Sequence, residues 1–260
     1  MQTQYPTVKA GYPLLTILYL LRMTDVDAVP ILPLAEKGSR AVFGFSSLQL
    51  FMKLSPRHFG EVLRGPCEAA SDELPVVSAG AELESLFEAF RSRQLGFAIV
   101  HDGTRTSRPG LIGLWDVLRL YGTGALRTEL RTEDLGTKIL ITSGAITIRD
   151  ALRTMFRSRH RRIFLPGGRS YVSDRSVMNY LFSPTVLEEI GRDGGRDALA
   201  TPITQLHASA PIAVSQRMPA RSAALNLRKD RGGCLVAGRK VVTAWDVVMK
   251  PWLTGKLTIA

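Results

Sequence analysis

The sequence repeats one strand-to-helix junction at an interval of half its length. A short apolar stretch runs into Trp-Asp-Val at Asp116 and again at Asp246, and these two residues lie 130 positions apart in a chain of 260. Recurrence at a fixed interval is the signature of an internal repeat, in which one structural unit is used several times. The chain is therefore predicted to consist of repeated units.

Two further segments, ending in helices that begin near Ser47 and Ser176, follow the same pattern, so the predicted unit occurs four times. The first helix of each repeat has apolar residues at i, i+3, i+4 and i+7, the spacing of one buried helix face. These sets are Leu14, Ile17, Leu18 and Leu21; Leu83, Leu86, Phe87 and Phe90; Ile148, Ala151, Leu152 and Met155; and Ala220, Ala223, Ala224 and Leu227. The pattern predicts an α/β protein of four β-α-β-β-α repeats.

This succession of elements, with a Thr/Ser-x-x-Asp turn before the last helix, resembles the cystathionine-β-synthase (CBS) domain family. The family's last strand commonly reads Gly-x-x-Thr-x-x-Asp. The residues at the Thr and Asp positions are Gly44 and Ser47, Gly113 and Asp116, Ser173 and Ser176, and Thr243 and Asp246. The fourth repeat alone keeps both polar residues of the family motif.

The resemblance implies two modules of paired repeats, 1–135 and 136–260, arranged as a pseudo-symmetric disk. The repeats would span about 1–56 and 72–123 in the first module and about 136–184 and 200–253 in the second. In the family, clefts between paired repeats bind AMP, ADP or ATP; the Asp binds the ribose hydroxyls and the Thr or Ser helps to hold phosphate. This chemistry is sound, because a carboxylate accepts two strong hydrogen bonds and helix-start N–H groups attract anions.

The residues that the resemblance assigns to the nucleotide are therefore Gly113, Asp116, Ser173, Ser176, Thr243 and Asp246. Helix capping alone is the competing interpretation of Asp116 and Asp246. Ser caps a helix as well as Asp does, however, so capping does not explain why the repeats alternate Ser with Asp. Trp115 and Trp245 are predicted to pack in the core or at an interface rather than against a base.

A cluster of basic residues precedes a strand of the third repeat: Arg153, Arg157, Arg159, His160, Arg161 and Arg162. One interpretation is a solvated helix end, where cations complement the helix dipole. The other is a phosphate clamp in which His160, Arg161 and Arg162 contact the nucleotide, since Arg suits phosphate geometry. A nucleic-acid surface is a third interpretation, although few aromatic residues are present for base stacking.

The composition is compatible with a phosphate-bearing partner. The chain has 34 basic and 23 acidic residues and a formal charge of +11, which favours anionic ligands. Cys67 and Cys234 support neither a disulfide framework nor a metal site, and the His spacing indicates no metal. We therefore expect a reduced, cytoplasmic protein. The apolar run 12–21 is too short to span a bilayer, so no membrane association is predicted.

The sequence thus predicts a stand-alone regulatory protein, not an enzyme, that senses AMP, ADP or ATP. It would need no cofactor and would report to an unknown protein partner, either as a monomeric four-repeat disk or as a homodimer. Two alternatives stay open. The chain could bind nucleic acid through its basic surface, or it could be a structural or assembly subunit whose clefts are empty of ligand.

Overall fold

A computed structural model of the chain describes residues 6–24, 26–34, 38–101, 110–191, 197–229 and 233–260. It confirms the predicted α/β class and the four repeats. The elements of the first half are β1 (Val8–Lys9), α1 (Leu14–Thr24), β2 (Ala28–Leu32), β3 (Arg40–Phe43), α2 (Gly44–Lys53), α3 (Phe59–Arg64), β4 (Ser71–Glu73), β5 (Val76–Ser78), α4 (Leu83–Arg93), β6 (Phe97–His101), β7 (Gly110–Gly113), α5 (Leu114–Thr123), β8 (Leu126–Arg127) and α6 (Thr132–Leu135).

The second half repeats this order with shorter strands. Its elements are β9 (Thr137–Lys138), α7 (Ile148–Ser158), β10 (Arg162–Phe164), β11 (Tyr171–Ser173), α8 (Asp174–Leu181), α9 (Pro184–Gly191), β12 (Ile212–Ala213), α10 (Ala220–Lys229), β13 (Leu235–Ala237), β14 (Lys240–Val242), α11 (Ala244–Leu253) and β15 (Thr258–Ile259). In the third repeat the first strand of the predicted β-α-β-β-α order is reduced to a single parallel bridge between Ile141 and Phe164. None of the described helices is long and apolar enough to cross a membrane.

The apolar helix faces predicted from the sequence are confirmed. All four residues of the α7 set, Ile148 to Met155, are fully buried, and those of α1 and α10 are at most 2% exposed. In α4, Leu86, Phe87 and Phe90 are buried, whereas Leu83 is half-buried at the edge of the core. Burial of these faces is the main favourable contribution to folding.

The chain folds into two compact units, and each unit combines a repeat from each half of the sequence. Unit 1 comprises Met1–Glu73 and Leu140–Ala210, and unit 2 comprises Leu74–Ile139 and Pro211–Ala260. Unit 1 therefore contains repeats 1 and 3, and unit 2 contains repeats 2 and 4. The predicted pairing of repeats within 1–135 and within 136–260 stays a prediction.

Within each unit the helices of the two repeats pack on each other. In unit 1, α2 packs on α8, and the contacts of α1 with α8 are matched by those of α7 with α2. In unit 2, α5 packs on α10 and α11. The segments that follow α5 and α11 also pair, because β8 is antiparallel to β15. The reciprocal contacts in unit 1 relate repeats 1 and 3 by an approximate twofold axis.

The sheets place every motif at the end of a strand. In unit 1 the strands run in the order β1-β2-β3-β4, and β10 pairs with β11. In unit 2 the orders are β5-β6-β7 and β12-β13-β14-β9. In each repeat the last strand is antiparallel to the one before it and leads directly into the second helix. The residues at these strand-to-helix junctions form the candidate site.

Candidate functional site

Thr243 and Asp246 form a reciprocal hydrogen-bonded pair at the start of α11. Asp246 Oδ2 accepts the Thr243 N–H at 2.9 Å and the Thr243 hydroxyl at 2.7 Å. The Asp246 N–H in turn donates to Thr243 Oγ1 at 3.5 Å. This arrangement is a capping box, which satisfies helix-start N–H groups that have no partner within the helix. Asp246 is only 5% exposed, so its carboxylate is held in one orientation.

The second repeat has the acid without the hydroxyl. Asp116 Oδ2 accepts the Gly113 N–H at 2.9 Å, but Gly113 has no side chain with which to return a hydrogen bond. Asp116 is half-buried and is therefore less constrained than Asp246. The two acidic motifs share one geometry and differ in how firmly the carboxylate is fixed.

The serine motifs use their hydroxyl groups within the protein. The Ser176 N–H donates to Ser173 Oγ at 3.1 Å, and the Ser173 N–H donates to Ser176 Oγ at 3.3 Å. The Ser47 hydroxyl donates to the Phe43 carbonyl at 2.8 Å, and Ser47 is fully buried. Ser47 is thus shielded from solvent and from any solvent-borne ligand.

The cap positions predicted from the sequence require correction. Asp116, Ser176 and Asp246 are the third residues of their helices, and the N-caps lie three residues earlier, at Gly113, Ser173 and Thr243. Ser47 does not cap α2, whose N-cap Phe43 has no side-chain cap bond. In repeats 2, 3 and 4 the reason is that the residue at the motif's Thr position keeps extended dihedrals and the helix begins at the next residue.

Arg161, predicted as part of a phosphate clamp, is held by two carboxylates of unit 1. Its Nε–H donates to Asp174 Oδ2 at 2.8 Å and its Nη2–H donates to Asp27 Oδ1 at 2.9 Å. The guanidinium also lies 5.8 Å from the centre of the Phe45 ring. Burial alone would lower the pKa of Arg161, but the two carboxylates raise it above its usual value. The positive charge of Arg161 is therefore largely compensated inside the protein.

Other members of the basic cluster have different surroundings. His160 Nδ1 lies 2.8 Å from the Ser158 carbonyl oxygen, and the Arg162 guanidinium lies 5.7 Å from the Tyr171 ring centre. Arg159 ends α7 in the left-handed region, with φ of 56°. His160, Arg161 and Arg162 belong to unit 1, together with Ser173 and Ser176, whereas the two acidic motifs belong to unit 2.

Sequence reasoning did not identify Asp27 and Asp174, which bind Arg161. Asp174 lies inside the third motif, between Ser173 and Ser176, but Asp27 is 134 residues from Arg161 and has no local signal of this contact. The packing role predicted for Trp115 and Trp245 is confirmed, because both lie against the core of unit 2.

No group of His, Cys, Asp and Glu side chains within the described parts of the chain has the arrangement of a metal site. Cys67 and Cys234 are both buried, and neither forms a disulfide. Burial and the neighbouring Glu68 carboxylate raise the pKa of Cys67 to about 11. This thiol is therefore almost entirely protonated at neutral pH.

The comparisons establish the fold. Protein MJ1225 from Methanocaldococcus jannaschii, a proposed archaeal homologue of g-AMPK, matches with a TM-score of 0.80 and 13% identity, covering 96% of this chain and 97% of that chain. An uncharacterized conserved protein from Pyrococcus horikoshii matches with a TM-score of 0.51 and 13% identity, covering 85% and 89%. The CBS domain protein PAE2072 from Pyrobaculum aerophilum, complexed with AMP, matches with a TM-score of 0.32 and 19% identity, covering 45% and 89%.

The protein has the fold of CBS-domain proteins, in four repeats, as the motifs predicted. The sequence matches no protein-family model and no curated protein. At 13% identity the structural likeness extends to the fold and leaves the ligand to be argued from the site.

Proposed function

We propose that this protein is a regulatory protein that binds an adenine nucleotide, AMP, ADP or ATP, with Asp246 as the principal ligand residue. The observation that carries the proposal is the buried, oriented carboxylate of Asp246 at the start of α11. A carboxylate fixed in this way is ready to accept hydrogen bonds from the two hydroxyls of a ribose. Because it is already oriented, little entropy is lost when the ligand binds.

The geometry refines the role of Thr243. Its hydroxyl donates its one proton to Asp246 Oδ2 at 2.7 Å, so we assign Thr243 to positioning the carboxylate rather than to binding phosphate. The positive end of the α11 dipole supplies a favourable field for an anionic ligand near the same residues. The site would then combine one ribose acceptor with a helix start that favours phosphate.

The four motifs differ in what they offer a nucleotide. We infer that Asp116 provides a second, weaker site, because among the residues that the structure describes its carboxylate is held by the Gly113 main-chain N–H and by no hydroxyl. Ser173 and Ser176 bond to each other's main chain, and a Ser hydroxyl is a weaker acceptor than a carboxylate. The sites built on Ser are therefore expected to bind ribose poorly or to be empty.

The basic cluster is a weaker part of the proposal. Arg161 is engaged by Asp27 and Asp174, so it would have to exchange a carboxylate for a phosphate in order to act as a clamp. His160 and Arg162 are kept as proposed phosphate contacts. A cytoplasmic location and a protein partner that reads the nucleotide state follow from the regulatory role and are proposed with it.

A nucleotide titration of matched variants tests the proposal. We expect AMP, ADP or ATP to raise the melting temperature of the wild-type protein, because a ligand that binds only the folded state stabilises it. In calorimetric titrations Asp246→Asn should weaken binding by about 1.5–3 kcal/mol, the range for hydrogen bonds to charged groups. Asp116→Asn, which removes the same charge at the weaker site, should leave the tighter site nearly unchanged.

Two results would contradict the proposal. One is an Asp246→Asn protein with wild-type affinity and stoichiometry. The other is a wild-type protein that no adenine nucleotide stabilises but that binds DNA or RNA with affinity falling steeply as salt rises. Such a salt dependence is typical of binding through phosphates and would favour the nucleic-acid alternative.

A further inference from the structure

Asp27 and Arg161 occupy equivalent positions in repeats 1 and 3. Each immediately precedes the middle strand of its repeat, β2 or β10. Each also accepts the N–H of the first residue of the following helix through its carbonyl: Gly44 donates to Asp27 at 3.4 Å, and Asp174 donates to Arg161 at 3.1 Å. Although the side chains of these two residues have opposite charges, their main-chain carbonyls accept equivalent hydrogen bonds in the two repeats.

The contact between these two side chains places them near the twofold axis of unit 1. Two equivalent points related by a twofold rotation can touch only where they lie close to the axis. The Asp27 Oδ1 and Arg161 Nη2 atoms are 2.9 Å apart, and the packing of α1 on α8 matches that of α7 on α2. The axis of unit 1 is therefore occupied by a pair of opposite charges.

The corresponding positions of unit 2 have no side chains. Gly96 accepts the Leu114 N–H through its carbonyl at 3.0 Å, as Asp27 does in repeat 1. In repeat 4 the register of β13 and β14 places Gly233 at this position. Because glycine has no side chain, these two positions cannot provide a charge that favours one pairing of repeats over another. The charged pair is thus a property of unit 1, not a requirement of the fold.

We propose that the Asp27–Arg161 pair determines which repeats associate, by favouring repeat 1 with repeat 3 and opposing the pairing of either repeat with its own copy in a second chain. Pairing repeat 1 with its copy would bring two Asp27 carboxylates together without the Arg161 guanidinium that joins Asp27 in the native pair. Pairing repeat 3 with its copy would bring two Arg161 guanidinium groups together, each with only its own Asp174. Like charges at such a distance oppose association.

Discrimination of this kind is needed because the repeats have similar apolar surfaces. Apolar packing is not directional, and the faces that meet in unit 1 are all composed of residues such as Leu, Ile and Met. Asp27 and Arg161 are partly shielded, with side-chain exposures of 31% and 42%, so solvent and salt screen their interaction only in part. The pairing selectivity acts whether or not the motifs bind a nucleotide.

Refolding at high protein concentration tests the proposal. The full chain is unfolded in urea and refolded by dilution, and the fraction in dimers or larger species is measured by size-exclusion chromatography with light scattering. Asp27→Asn should increase that fraction several-fold over wild type, because self-pairing of repeat 1 is no longer opposed. The matched control is Asp150→Asn, which removes the same charge from an exposed ion pair with Arg153; its fraction should equal that of wild type.

A charge exchange completes the test. The triple variant Asp27→Arg/Arg161→Asp/Asp174→Asn keeps opposite charges on the axis, removes the like charge that Asp174 would place beside the new acid, and should return the oligomer fraction to near the wild-type value. Asp27→Asn refolding with a wild-type distribution, or Asp150→Asn raising the fraction equally, would overturn the proposal. If the neutral variant does not refold, recovery of folding in the exchanged variant supports the proposal, and failure of both variants contradicts it.

Discussion

Removing the hydroxyl of Tyr121 is expected to stabilise the protein. Tyr121 lies in the core of unit 2 with 1% of its surface exposed, and its Oη has no hydrogen-bond partner among the described residues. Burial raises the pKa of this phenol, so the group is neutral at ordinary pH. A buried polar group without a partner costs about 1–3 kcal/mol, a cost that Tyr121→Phe removes.

The expected gain can be estimated from these contributions. The small void left by the hydroxyl, of about 15 Å³, would cost about 0.4 kcal/mol. The net stabilisation is then on the order of 1 kcal/mol, or roughly 2–4 °C in melting temperature for a protein of this size. Differential scanning calorimetry at neutral pH, supported by urea unfolding, measures both quantities.

Tyr180→Phe is the matched control with the opposite expected sign. The Tyr180 hydroxyl lies 3.0 Å from Thr201 Oγ1, and Thr201 is only 3% exposed. Deleting this hydroxyl removes a hydrogen bond and leaves a buried partner, so it should destabilise the protein by about 1 kcal/mol. If Tyr121→Phe lowered the melting temperature as Tyr180→Phe does, the Tyr121 hydroxyl must have a stabilising partner, and the reasoning would be refuted.

Two further predictions concern unit 1. Burial alone would raise the pKa of Asp27, but Arg161 lowers this pKa below its ordinary value of 3.8. The ionised Asp27 carboxylate should therefore stabilise the folded protein at neutral pH. This stabilisation should be lost as the pH falls through the lowered pKa. The difference in unfolding free energy between wild type and Asp27→Asn should accordingly shrink below pH 3.8 in acid titrations; a difference that stayed constant would contradict this. Gly44→Ala should destabilise the protein by about 1 kcal/mol, the lower end for overpacking, because the flexible end of the Met178 side chain must move away from the new Cβ where α2 meets α8. Gly80→Ala, with open space around its Cβ, should be nearly neutral in urea unfolding.

The helix faces could be predicted because their signal is local. Leu14, Ile17, Leu18 and Leu21 are at most 2% exposed, and their spacing alone defines one side of a helix. The same apolar spacing in four segments predicted four repeats, and the repeats together with their motifs predicted the CBS-type fold. The information needed at each step lies within about 50 consecutive residues of the chain.

The association of repeats 1 and 3 could not be predicted, because it depends on contacts distant in sequence. Asp27 and Arg161 are 134 residues apart, and no local pattern connects them. The basic cluster was correspondingly open to several interpretations, since the partner of Arg161 was unknown. The start of the last helix was predicted three residues too late, at Asp246 instead of Thr243. The reason is local, because an N-cap residue and an acid at the third helix position both contact helix-start N–H groups.

The two compact units separate the motif residues by chemical type. Unit 2 contains Asp116 and Asp246, whereas unit 1 contains Ser47 and Ser176. If these residues served only to start helices, Ser and Asp could be exchanged between the units at little cost. At position 47 they cannot be exchanged, because the Ser hydroxyl donates to the Phe43 carbonyl in a fully buried place. An ionised carboxylate has no proton to donate there, and burying its charge would cost several kcal/mol. Unit 1 is thus unsuited to the acidic motif at position 47, and we propose the ribose-binding role for the acidic motifs of unit 2 alone.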